Sequence, residues 1–199
     1  MSWTEEIAAV AARLVAEEGM EYGPAKRKAA RTLGRGQTRA GELPSNEMVE
    51  DAVREHLALF CADTQPAELQ ALRDVAVTWM QRLVAFRPHL TGAVWRGTAT
   101  RWSAVHLDLY CDDAKSAEIE LINQGISYDV ASSPGARGEP IEHLHLDVPC
   151  PALGERATLV LTLRDHDDLR GALKPDTRGR SHRGDLAALH QVMAEEAAT

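Results

Sequence analysis

The sequence predicts an α+β fold: a helical N-terminal region over residues 1–62, then a mixed sheet with flanking helices over residues 63–199. Three observations predict it. Up to Phe86 the apolar residues recur at the spacing of amphipathic helices. At Pro88 the pattern changes, and AVHLDLYC alternates with period two. Helices gathered first and strands later are the signature of an α+β chain. At 199 residues the chain can bury a sizeable core, as one larger domain or two small ones.

The elements follow in order. Ser2-Trp3-Thr4-Glu5 reads as a capping box. Ile7, Val10, Ala11, Leu14 and Val15 form the stripe of a first helix, and Gly19 is its stop. Gly23-Pro24 opens a second, PAKRKAARTLG, ending near Gly34, and residues 34–44 read as a loop. Ser45 caps a third helix with Met48, Val49, Val53, Leu57 and Phe60 as its stripe. Thr64 and Pro66 start a fourth, apolar nearly all round and therefore central. It ends at Phe86-Arg87-Pro88, because the residue before proline avoids the helical region.

LTGAVW (90–95) then reads as a strand, and AVHLDLYC as its neighbour, the two joined by a turn at Gly97-Thr98 and packed under the fourth helix. Asp112 or Asp113 caps AKSAEIELINQ, which Gly125 stops. ISYDVA is a short strand and SSPGARGEP a loop. IEHLHLDV and ATLVLTL are further strands. LKPDTRGRSHRGD is a polar tail, and Asp185 opens a last helix striped by Leu186, Leu189 and Val192.

Composition excludes several classes. No apolar run approaches the length of a membrane span. MSWTEEIAAV lacks the layout of a secretory signal. The three cysteines, Cys61, Cys111 and Cys150, are far apart and form no CxxC pair, which points to a reducing cytoplasm. The net charge is −8, yet between Tyr22 and Gly41 there is no acid and there are six bases: Lys26, Arg27, Lys28, Arg31, Arg35 and Arg39. That asymmetry fits an anion-binding surface or a solvated helix face.

The stretch from Arg87 to Asp113 carries the chemistry. It places Val105, Leu107 and Leu109 on one face of a strand and His106, Asp108 and Tyr110 on the other. A helix, an apolar strand, Gly97-Thr98, a short link and V-H-L-D-L resemble the core of the polymerase-beta-like nucleotidyltransferases, over roughly residues 65–165. That family has a strand ending in Gly-Ser and then a strand with two acids. Here Thr98 stands where Ser is usual, and His106 where the first Asp is expected.

The resemblance implies a nucleotidyltransferase-like sheet that moves a nucleoside monophosphate from an NTP to an acceptor that the sequence does not name. It implies Mg²⁺ or Mn²⁺ as cofactor, held by Asp108, by Glu142 early in IEHLHLDV, and by His106 as an altered ligand. Gly97 and Thr98 would contact phosphate, with Arg96 and Arg101 flanking them. A nitrogen ligand at His106 suits Mn²⁺ better than Mg²⁺, and leaves open a nucleotide binder without turnover.

Two other readings stand beside it. In one, Lys26, Arg27, Lys28 and Arg31, within the basic stretch 26–39, grip nucleic acid or another acidic partner, and the sheet is a scaffold. In the other, His143, His145 and Asp147 converge with His106 and Asp108 in a metal-dependent hydrolase. Alternation sets that face against Glu142, and pattern alone does not say which of the two meets Asp108.

Overall fold

The period-two alternation of Val105–Cys111 becomes the centre of a six-stranded sheet in a computed structural model, which describes residues 2–34, 40–135, 138–176 and 178–198. The fold is α+β, with N-terminal helices preceding a mixed sheet. It divides into two units, Met1–Gln70 with Gly97–Ser103, and Ala71–Arg96 with Ala104–Thr199. The division falls within the fourth helix, later than residue 62. Among the described residues no helix is long and apolar enough to cross a membrane.

The first unit is helical. Helix α1 (Trp3–Glu18) starts at a complete Ser2–Glu5 capping box and ends at left-handed Gly19. Helix α2 spans Tyr22–Thr32, starting before Pro24, which its first turn tolerates. Helix α3 (Asn46–Phe60) is capped by Ser45, whose hydroxyl accepts from the Met48 N–H. Ile7, Ala11, Val15, Ala25, Ala29, Val49 and Val53 form its core.

Helix α4 (Gln65–Arg82) contributes residues to both units. Its first turn holds the 97–103 segment. Gln65 Nε2 donates to Gly97 O at 3.2 Å and to Ala99 O at 2.9 Å, and Glu68 accepts from the Arg101 N–H. Thr100 Oγ1 donates to Ala16 O at 2.7 Å.

In the second unit, β1 is His89–Thr91, α5 is Gly92–Arg96 and β2 is Val105–Cys111. LTGAVW is therefore not one strand. Gly92, at φ +74°, turns the chain after Thr91, and Ala93 to Arg96 continue as a helical turn. The glycine that ends the strand is Gly92, not Gly97. β1 and β2 do pair, antiparallel, with His89 opposite Asp108.

Helix α6 (Ala114–Asn123) is capped by Asp113. Strand β3 is Asp129–Pro134, β4 is Pro140–Cys150 and β5 is Glu155–Asp165. A short α7 (Leu169–Ala172) follows, then β6 (Arg183–Gly184) and α8 (Leu186–Ala197), which Asp185 caps. The order across the sheet is β3-β4-β5-β2-β1-β6; among the described residues β2 and β5 run parallel and the other neighbours antiparallel.

Register gives the sheet two faces. Leu90, Leu107, Leu161 and Leu144 lie side by side on one, and all four are fully buried. Each such leucine contributes about 1.5–3 kcal/mol of burial. Buried Arg73 of α4 donates from Nε to Val94 O and pairs with Glu196, tying α4, α5 and α8 together.

Strand β6 fits beneath Trp95, whose indole N–H donates to Ser181 O at 2.9 Å. A Cβ at Gly184 would lie 2.2 Å from the Trp95 ring. Gly184→Ala is expected to lower stability by about 1–3 kcal/mol through overpacking. Urea unfolding followed by tryptophan fluorescence measures it, and an unchanged midpoint would show that β6 is not held there.

Candidate functional site

The face opposite the leucines is polar. Asp108 sits at its centre, 2 % exposed, with His89 beside it on β1 and Thr162 on β5. The next residue across is His143 on β4. A neighbouring row runs Thr91, His106, Val160, His145 and Asp129.

Two arginines neutralise Asp108. Arg164, next to Tyr110 in register, places Nε 2.9 Å from Asp108 Oδ2, an ion pair without hydrogen-bond alignment. Arg183 Nη1 donates to the same oxygen, and to Tyr110 Oη at 2.7 Å. The Arg183 Nε is buried and makes no hydrogen bond among the described residues. Buried Asp108 and these two guanidiniums leave one net positive charge on this part of the face.

Both arginines line a cleft of about 540 Å³ beyond the carboxyl end of β5. Leu163, Pro140 and Ile141 supply apolar wall, and Glu139, Asp165, Asp167 and Asp168 bring carboxylates to it. Asp165 is partly occupied, accepting from the Asp167 N–H at 2.8 Å.

His143 is gripped on both ring nitrogens. Nε2 lies 2.7 Å from Ser133 Oγ and Nδ1 lies 3.0 Å from Thr162 Oγ1. Burial pushes its pKa below the usual imidazole value, the charges of His145, Arg164 and His106 push the same way, and Asp108 opposes them. Burial likewise raises the Tyr110 hydroxyl, so it remains a phenol at neutral pH.

The expected site residues are distributed as follows. His106 and Asp108 share the polar face of β2. Glu142, opposite Ser132 and adjacent to His143, points to the other face, so it does not join Asp108. Strand β4 is not a neighbour of β2 at all. The strands that flank β2 present His89, Thr91, Val160, Thr162 and Arg164 to Asp108's face, and none is an acid.

His145 and His106 are two strand spacings apart across Val160, roughly 9.5 Å. Asp147 pairs with Arg156 at 2.5 Å. Among the described residues no three His, Cys, Asp or Glu side chains are placed to hold a metal ion. The residues present thus do not fit a Mg²⁺ or Mn²⁺ centre at Asp108.

Gly97, Thr98 and Arg101 belong to the helical unit. The Gly97 carbonyl accepts from Gln65, and the Thr98 hydroxyl is buried without a hydrogen bond among the described residues. Arg101 lies over the Trp102 ring, 5.5 Å from its centroid. Arg96 ends α5 in the sheet unit.

The basic stretch is partly consumed. Lys26 Nζ donates to Pro44 O at 3.0 Å and Asn46 Oδ1 at 2.8 Å, and burial lowers its pKa. Lys28 pairs with Glu18 at 2.5 Å. Arg27 and Arg31 are exposed, while Arg35 and Arg39 lie outside the described residues.

The residues of this candidate site that pattern did not mark are Arg164, Arg183 and Ser133. The first extends ATLVLTL by one residue on the polar face, which was a usable signal. No family model matches the chain, and no curated protein matches it.

Two outcomes test this geometry. Asp108→Asn leaves two half-buried guanidiniums without their counter-charge and is expected to cost up to about 3–5 kcal/mol in chemical denaturation, less whatever solvent screens at the partly exposed arginines. For His143 the sign follows from linkage. Its folded pKa is depressed, so the unfolded chain takes up the proton first. The stability it carries is complete above about pH 6.5 and is lost as pH falls through the lower folded value. His143→Gln is expected to flatten the fall in unfolding midpoint below that pH. A profile identical to wild type would assign the acid sensitivity elsewhere.

Proposed function

We propose that this chain is a nucleotidyltransferase-like protein that binds a nucleotide on an arginine-lined sheet and does not turn it over through a metal centre. One observation carries the reading: Asp108, the acid that the resemblance would make a metal ligand, is buried against Arg164 and Arg183. Nucleotidyl transfer by metal ions needs two or more carboxylates around the same ions. Here the flanking strands offer a threonine and an arginine in place of a second acid. A cation placed at Asp108 would meet two guanidiniums.

The same arginines suit an anion. Guanidinium groups take phosphate oxygens through paired, charge-assisted hydrogen bonds. The cleft has the volume of a small-ligand site. The phosphate would sit at Arg164 and Arg183, where Tyr110 adds a hydroxyl. The carboxylates on the cleft wall would accept from ribose hydroxyls and base amino groups. The free thiols of Cys61, Cys111 and Cys150 fit a reducing cytoplasm. With Lys26 and Lys28 engaged within the helical unit, the nucleic-acid reading of that stretch has less to stand on than the arginine pair.

Calorimetry with ATP, GTP and their monophosphates, in Mg²⁺ and in EDTA, tests the reading. Binding is expected to persist in EDTA. Arg183→Gln is expected to weaken it roughly 10- to 100-fold, the worth of a hydrogen bond to a charged group. No heat at millimolar nucleotide would remove the reading. Heat only with Mg²⁺ or Mn²⁺ would favour the metal-dependent transferase instead.

A further inference from the structure

The geometry points to a second chemistry on the same sheet: Ser133, His143 and Thr162 form a nucleophile, base and positioning group for acyl transfer from a carboxylic ester or thioester. The nucleotide reading makes no use of Ser133, so the two stand or fall separately.

Three strands hold this line of residues. Ser133 is on edge strand β3, His143 on β4 and Thr162 on β5. His143 and Thr162 are direct register partners, and Ser133 pairs with Ile141, two residues from His143 on the same face. The imidazole is thereby fixed at both nitrogens, 2.7 Å from the serine hydroxyl and 3.0 Å from the threonine hydroxyl. A serine within hydrogen-bond reach of a histidine oriented by a third group is the geometric mark of an activated nucleophile.

Ser133 Oγ and Thr162 Oγ1 each both donate and accept, so the tautomer with Nδ1–H donating to Thr162 and Nε2 accepting from Ser133 is the one that serves the chemistry, and both distances accommodate it. Ser133 itself is half-buried at the sheet edge, within reach of solvent, and its partner Ile141 lines the cleft. Arg164 lies close enough to His143 to act on its charge.

The step balances without a metal or a redox partner. Ser133 Oγ attacks the carbonyl carbon, and its proton passes to His143 Nε2. The carbonyl re-forms as the bond to the alcohol or thiol breaks, and that leaving group takes the proton from Nε2. Water then attacks the acyl-serine and gives its proton to Nε2. Ser133 Oγ recovers that proton as it leaves, and the carboxylic acid is released.

The test is covalent labelling of the full chain with a fluorophosphonate probe, without nucleotide, followed by peptide mapping. A wild-type adduct on Ser133 is expected. It should be absent in Ser133→Ala and slowed about 10²-fold or more in His143→Gln. Thr162→Ser should keep the rate and Thr162→Val should lose it, since only the first retains the hydroxyl that orients His143. Circular dichroism checks that the variants are folded, and the wild-type map does not depend on them. No adduct on Ser133 at millimolar probe, or equal labelling in folded His143→Gln, would overturn the inference.

Discussion

A carboxylate in the middle of a sheet has to be neutralised where it stands. Asp108 is 2 % exposed on the central strand β2, and removing an ion from water costs several kcal/mol even after relaxation. Its counter-charges come from opposite sides: Arg164 from the parallel neighbour β5, and Arg183 from β6, beyond β1. The second contact explains why a two-residue strand exists in the polar tail. Arg183 has to be brought over Asp108, and the glycine after it has to lie against Trp95. Once β6 is placed, Asp185 caps α8, and Glu196 near the end of that helix meets buried Arg73.

The sheet separates stability from chemistry by the parity of its strands. Leu107, Leu161 and Leu144 hold one face, and shifting any strand by one residue would exchange them for Asp108, Thr162 and His143. The apolar row therefore sets the polar row. It also sets what the polar row cannot do. Glu142 belongs by parity to the leucine side, and no choice of side-chain rotamer brings a residue on that face to Asp108.

Much of this was legible in the chain. Capping residues marked the starts of α1, α3, α6 and α8, because a side-chain oxygen before a helix has one use there. The alternation of β2 and β4 was plain. LTGAVW misled, since a short apolar run does not tell a strand from a buried helical turn. Gly92 was the signal: a residue in the left-handed region does not continue a strand, and glycine is the residue that adopts it without strain. Pattern points to IEHLHLDV, two strands on in the chain, for the acid partner of Asp108. The parallel strand ATLVLTL, one hairpin further on, takes that place, and sequence proximity carries no information about a parallel neighbour. Arg183 was hidden for a different reason. A two-residue strand has no period to detect, and its partner Asp108 lies 75 positions away.

The placement of Thr162 shows how one substitution pattern gives the face its character. An acid at that position would stand between Asp108 and His143, and two carboxylates side by side invite a metal ion. A threonine instead leaves Asp108 alone with the arginines and turns its hydroxyl to the imidazole. The negative charge is spent on guanidinium groups, and the histidine is held by hydroxyls on both sides rather than drawn into a metal shell. Charge balance at Asp108 and the orientation of His143 are thus consequences of the same residue. On the polar face Asp108 is committed to the arginines, while His143 stands apart between two hydroxyls.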